Sequence, residues 1–144
     1  MKSACWAALA AASAASAAGG ACSPEDSPIM RPGEDCLVCH NGSAAPKWTA
    51  AGTVFGALDA APDAGLRDVA ITIVDATGKT LVLTSNSAGN FYTAAPFTPP
   101  FAGSAARHGF LQKSDGKPPS GACNSCHAIP PTNNALGRLY LAPN

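Results

Sequence analysis

Cys36-Leu37-Val38-Cys39-His40 and Cys123-Asn124-Ser125-Cys126-His127 each place two thiols and an imidazole within five residues. Two residues between the cysteines let the backbone make one turn, so both sulfurs point at the same edge of a ligand. The imidazole that follows is aimed beneath that ligand. The chemistry this suits is thioether bonding to the two vinyl groups of a porphyrin, with the His as proximal ligand to its iron. C-x-x-C-H is the attachment pattern for c-type haem. Two copies predict two covalently bound haems, one on Cys36, Cys39 and His40, the other on Cys123, Cys126 and His127.

The sixth iron ligand separates two kinds of function. A filled position favours electron transfer, whereas an open one admits gas binding or peroxide chemistry. Outside the motifs the chain has one His, His108, and one Met besides the initiator, Met30. These are the candidate distal ligands, and the residues do not say which iron each would serve. Each also has a plainer reading, His108 as an exposed loop residue and Met30 as a minor core filler. Trp48, Phe110 and Tyr140 lie near the motifs and could face a porphyrin or pack as ordinary core. Arg31, Lys113, Lys117 and Arg138 could meet its propionates or be solvated surface cations.

The elements that position these groups begin with a leader. Lys2, then an Ala-rich apolar stretch from Cys5 to Ala18, then Gly19-Gly20-Ala21-Cys22, read as an export signal over residues 1–21. The stretch is short for a membrane span. The polar run after Cys22 resembles a bacterial lipoprotein processing site, in which Cys22 would carry lipid and hold the chain at the outer membrane. Without lipid, Cys22 is expected to be a lone thiol in an oxidising compartment, since the motifs use the other four cysteines of the mature chain. Residues 22–33 are expected to form a tether, 34–50 the first haem segment, 51–112 a β-sandwich and 113–144 the second haem segment.

The chain carries no net charge, and no basic stripe argues for nucleic-acid binding. Its halves differ, however. Cys22 to Gly78 holds eight acids against three bases, and Lys79 to Asn144 holds one acid against five bases. Between the motifs the period is that of strands. Gly52–Leu58 alternates loosely, and Val69, Ile71 and Ile73 share a face of the clearest strand, Val69–Val74. Asp75-Ala76-Thr77-Gly78 supplies hairpin-turn chemistry, and Thr80–Thr84 returns as its partner. Phe91–Thr93 starts another strand, and Phe101–Leu111 is read as a last one. An all-β fold follows, a small antiparallel sandwich flanked by two loop-rich haem segments.

Gly52-Thr53-Val54-Phe55, Val69–Asp75 and Thr84–Tyr92 resemble the carboxypeptidase regulatory-like domain, with Ser85 where that family's corner has Thr, ahead of Gly89 and Phe91. The resemblance covers residues 51–112 and implies a seven-stranded, transthyretin-like sandwich; it speaks to fold, not activity. With Met30–Gly33 and Gly121–His127, the whole chain resembles exported diheme cytochromes in which this sandwich sits between haem segments. The resemblance implies an electron carrier, not an enzyme, working with redox partner proteins in the periplasm or cell envelope. Two alternatives stand beside it: a gas sensor or small redox enzyme with one five-coordinate haem, and a structural module within a larger multihaem assembly. A zinc site built from both C-x-x-C pairs is disfavoured by their wide separation and by the His after each.

Overall fold

The computed structural model describes Cys22 and residues 27–142; the expected leader lies outside that range. Seven strands make two sheets. The first has the order β4-β1-β7 and the second β3-β2-β5-β6. The strands are β1 (Ala50–Thr53), β2 (Ala70–Val74), β3 (Thr80–Thr84), β4 (Asn90–Thr93), β5 (Ala102–Arg107), β6 (Phe110–Lys113) and β7 (Gly121–Ala122). The only helical pieces among the described residues are a 3₁₀ turn at Cys36–Val38 and one α-turn, α1, at Cys123–Cys126. The fold is all-β.

Alternation explains the core. Val69, Ile71 and Ile73 are buried as expected, and they meet Ala105 of β5, Ala50 and Phe91 of the other sheet, and Val54 just after β1 in a single cluster. Leu81 and Leu83 of β3 pack against the same cluster while Val82 between them faces solvent. This is the period-two pattern of a sheet with one wet face.

Three features differ from the sequence expectation. The segment read as one strand over Phe101–Leu111 is a hairpin: β5 and β6 pair antiparallel, with Arg107 opposite Phe110. His108 and Gly109 form its two-residue turn, both at positive φ (50° and 86°), the geometry whose twist matches a hairpin. Next, the segment expected to be a tether is fastened down from Pro28 onward. The Asn86 and Asn90 side-chain amides both donate to the Pro28 carbonyl, and Asn90 also donates to the Met30 carbonyl (2.8 Å). Finally, β7 comes from the 113–144 segment and pairs parallel to β1, so that segment completes the first sheet.

The β2–β3 turn is held by Asp75. Its Oδ1 accepts from the Thr77 hydroxyl (2.6 Å) and from the Thr77 and Lys79 N–H groups, while Oδ2 accepts from the Thr98 N–H. The Thr77 hydroxyl and then the Thr98 amide lead the causes that hold the carboxyl at about 2, against an ordinary value of 3.8. A folded-state value below the unfolded one means that this stabilisation is complete above about pH 4 and is lost as the pH falls towards 2. Asp75→Asn should therefore unfold more readily than the wild type at pH 7. The gap between the two in thermal melts should close between pH 4 and pH 2; a gap that ignores pH would contradict this account.

Candidate functional site

Both C-x-x-C-H segments close into one turn by the same bond. The His40 N–H donates to the Cys36 carbonyl (2.9 Å) and the His127 N–H to the Cys123 carbonyl (3.0 Å). In the first motif Asp35 caps the turn, its Oδ1 accepting from the Leu37 N–H at 3.1 Å. Local hydrogen bonding thus presents each imidazole directly after its pair of cysteines.

The two imidazoles are held alike. His40 Nδ1 lies 3.0 Å from the Pro46 carbonyl oxygen, and His127 Nδ1 lies 2.9 Å from that of Gly137. A carbonyl can only accept, so in each ring Nδ1 carries a hydrogen, and in the neutral imidazole the lone pair then lies on Nε2. Metal-binding histidines are oriented this way, the far nitrogen donating to a backbone carbonyl while the near one ligates. Pro46 and Gly137 contribute through backbone oxygens, which leave no mark on a sequence. His40 is 9 % exposed, and its ring lies parallel to Trp48 at 3.3 Å between centroids. Trp48 in turn stacks on Tyr92 at 4.2 Å.

The motifs meet at the end of β1. Thr53 is fully buried, and its hydroxyl uses every bond it can form. It donates to Asn90 Oδ1 (2.7 Å) and accepts from the Gly33 N–H (2.8 Å) and from Asn124 Nδ2 (3.1 Å). Asn124, inside the second motif, also accepts from the Thr53 N–H and donates to the Glu34 carbonyl just ahead of the first motif. On the opposite face of β1, Gly52 lets Cys123 approach. A Cβ there would stand 2.8 Å from the Cys123 Cβ and 2.8 Å from the Phe91 ring.

A cavity of about 800 Å³ opens beside the second motif, with Cys123, Cys126 and His127 in its wall. Ile71, Ile73, Phe91 and Phe101 extend it between the two sheets, and Tyr140 also lines it. Its size falls in the range of cofactor sites, which are mostly apolar with a few placed polar groups. Lys113, Lys117 and Asp115 stand at its polar side. Arg138 lines it too, but the guanidinium is engaged in the fold. It donates to the Gly33 and Ala60 carbonyls and lies 4.6 Å from the centre of the Phe55 ring.

Cys36, Cys123 and Cys126 are free thiols. Burial is the main reason that Cys36 is pushed up to about 11 and Cys123 to about 12. Asp35 adds to the rise at Cys36 and the nearby Cys36 to that at Cys123, so the two motifs lie within each other's electrostatic reach. Cys39 is not free. It is disulfide-bonded to Cys22, with their Cα atoms 5.5 Å apart. This corrects the expectation that Cys22 lacks a thiol partner. A thioether at Cys39, or a lipid on the Cys22 sulfur, requires that bond to be open.

The two candidate distal ligands are placed apart from the cavity. His108 is exposed at the tip of the β5–β6 hairpin, and neither it nor Met30 lines the cavity wall. Met30 is half-buried, and its backbone carbonyl is held by Asn90. Phe110 packs against the core cluster rather than the cavity. Among the described residues, no group of three or more His, Cys, Asp or Glu side chains is arranged to hold a metal ion. One imidazole beside two thiols nonetheless suits an iron arriving with four ring nitrogens of its own, the imidazole serving the iron and the thiols the ring. The second motif fits such a group as it stands, and the first fits it once Cys39 is released.

No protein-family model, no curated protein and no solved structure matches this chain. The site is therefore read from its own geometry. Thr53→Val, close in shape but without the hydroxyl, would leave buried groups of Gly33, Asn90 and Asn124 short of a partner. The expected cost is about 1–3 kcal/mol in urea unfolding. A stability equal to the wild type would remove Thr53 from its place at the junction.

Proposed function

We propose that this chain is a diheme c-type cytochrome that transfers electrons outside the cytoplasm. The observation that carries the reading is the matched pair of imidazoles, each donating Nδ1–H to a backbone carbonyl beside a C-x-x-C turn, which leaves Nε2 as the ligating nitrogen. The cavity between the sheets adds support at the second motif.

A c-type haem, when bound, supplies a one-electron couple at its iron. The chain's own residues do the rest. Cys123 and Cys126 would hold the second ring through thioethers, and Cys36 and Cys39 the first once the Cys22–Cys39 bond is open. His127 and His40 would be the proximal ligands, oriented by the Gly137 and Pro46 carbonyls. Ile71, Ile73, Phe91 and Phe101 would keep water from a ring bound in the cavity and lower the local dielectric, which helps set a potential. No bond chemistry on a substrate is required, so the protein is a carrier serving redox partner proteins. The leader read over residues 1–21 is consistent with export, because covalent haem attachment takes place outside the bacterial cytoplasm.

One observation favours the reading of a gas sensor or small redox enzyme. Besides Cys123, Cys126 and His127, the donors in the cavity wall include Lys113, Lys117 and Tyr140 but no second His and no Met. Low-temperature electron paramagnetic resonance separates the two. Low-spin ferric signals from both haems support a carrier, whereas a high-spin signal with rapid carbon monoxide binding on reduction supports the alternative.

The primary test is the pigment itself. Protein made in a bacterial envelope equipped for haem attachment should keep a Soret band after denaturation and extraction. His127→Ala should lose the low-spin spectrum of one haem. A colourless chain would overturn the reading.

Charge orders the two potentials. Glu34 and Asp35 directly precede Cys36 and add, after burial, to the rise of its thiol, whereas two bases, Lys113 and Lys117, and one acid, Asp115, line the cavity at the second motif. Negative charge stabilises ferric iron, so the first haem should have the lower potential and feed the second. Redox titration of His40→Ala against His127→Ala assigns the two; a higher potential at the first haem would reverse the proposed direction of flow.

A further inference from the structure

We propose that the Cys22–Cys39 disulfide is a thiol-exchange site that decides whether the first motif can take its haem, so that the two motifs load unequally. The proposal rests on the cytochrome reading above and goes beyond it. Two independent observations carry it. Cys39 shares its sulfur with Cys22, whereas both thiols of the second motif are free. The cavity is lined by second-motif residues and by none of Cys36, Cys39 or His40. Both attachment sulfurs of the second motif are therefore available in this state, while the first lacks one of its two.

The segment that leads into the first motif is fastened to the sandwich from Pro28 to Gly33. The Pro28 and Met30 carbonyls are pinned by Asn86 and Asn90, and Gly33 is bound to Thr53 and Arg138. The segment leading into the first motif thus has a fixed course along the sandwich, and a short loop of 17 residues' separation closes cheaply. Of the two bonded residues, Cys39 is half-buried whereas Cys22 is exposed. An incoming thiol therefore meets Cys22 first.

The chemistry balances with a dithiol reductant, either a small dithiol or a thioredoxin-like protein of the envelope. Its thiolate attacks Cys22 Sγ, breaking the Cys22–Cys39 bond and expelling the Cys39 sulfur, which takes up a proton. The second thiol of the reductant then resolves the mixed disulfide, freeing Cys22 as a thiol and leaving the reductant oxidised by two electrons. Cys39 S–H can then add across a porphyrin vinyl group, sulfur to one carbon and hydrogen to the other, with no net change of oxidation state. In the opposite direction, an envelope dithiol oxidase that closes the Cys22–Cys39 bond before attachment removes Cys39 from use.

Intact mass spectrometry and peptide mapping after alkylation, on the full exported chain, test this. The wild type matured without added reductant should contain a one-haem species. In it the haem lies on Cys123 and Cys126, and the peptides bearing Cys22 and Cys39 are cross-linked. Adding a small dithiol during maturation should shift that species to the two-haem mass, and Cys22→Ser should do the same without reductant. The reductant arm uses the wild-type sequence, so it stands even if the variant folds poorly. A one-haem species whose Cys39 is free or bonded to Cys36, or haem counts that ignore the reductant, would overturn the proposal while leaving the cytochrome reading intact. Absence of haem from Cys123 and Cys126 would overturn that reading and this inference with it.

Discussion

The hydroxyl of Thr53 is the point on which the rest of the molecule turns. It is a single buried group that makes three hydrogen bonds, one to each of the segments that must be brought together. Gly33 leads into the first motif, Asn124 belongs to the second, and Asn90 begins the neighbouring strand and reaches back to Met30. A buried polar network specifies geometry strongly only when every member is satisfied, because an unpaired member is costly in a low-dielectric interior. Here the Thr53 hydroxyl and both Asn124 donors are fully used. Two C-x-x-C-H turns far apart in the sequence are thereby fixed on one short strand.

That strand works on both faces. Ala50 and Gly52 face the shared core and Cys123, while Thr53, on the alternate face, meets the first-motif segment. The sandwich is therefore a frame that sets one motif at the opening between its sheets and the other outside the smaller sheet. On the outer side the parallel rings of His40, Trp48 and Tyr92 lead from a motif imidazole to a side chain that is 40 % exposed. On the inner side the cavity is walled by the same isoleucines that form the core. Stability and site share their side chains.

The sequence made the strand content and the site legible to different depths. Val69, Ile71 and Ile73 showed their buried face because a sheet has an exact period, and Asp75 to Gly78 showed a turn because only a few residues tolerate its angles. The two C-x-x-C-H motifs were legible because their thiols and imidazole lie within five residues of one another. What stayed hidden has a physical reason in each case. The His108–Gly109 turn lacks the usual Asn or Asp before its Gly, so two strands read as one. The carbonyls of Pro46 and Gly137 are backbone atoms that any residue supplies. The union of Cys22 with Cys39 is a matter of proximity, which spacing alone does not give. The roles of Thr53 and Asn124 depend on partners 71 residues apart, beyond the reach of any local pattern.

The same long separations bear on the order in which the chain assembles. Glu34 meets Asn124 across 90 residues, and Gly33 meets Arg138 across 105. Contacts this distant form late, because loop closure must be offset before they reward the chain. A polypeptide emerging N-terminus first displays Cys36, Cys39 and His40 well before the strand and turn that enclose them exist. The second motif, by contrast, arrives when the β2–β6 sheet is already available to receive it. The junction at Thr53 is thus the closing clasp of folding, and it gives the two turns unequal histories before either reaches its final place.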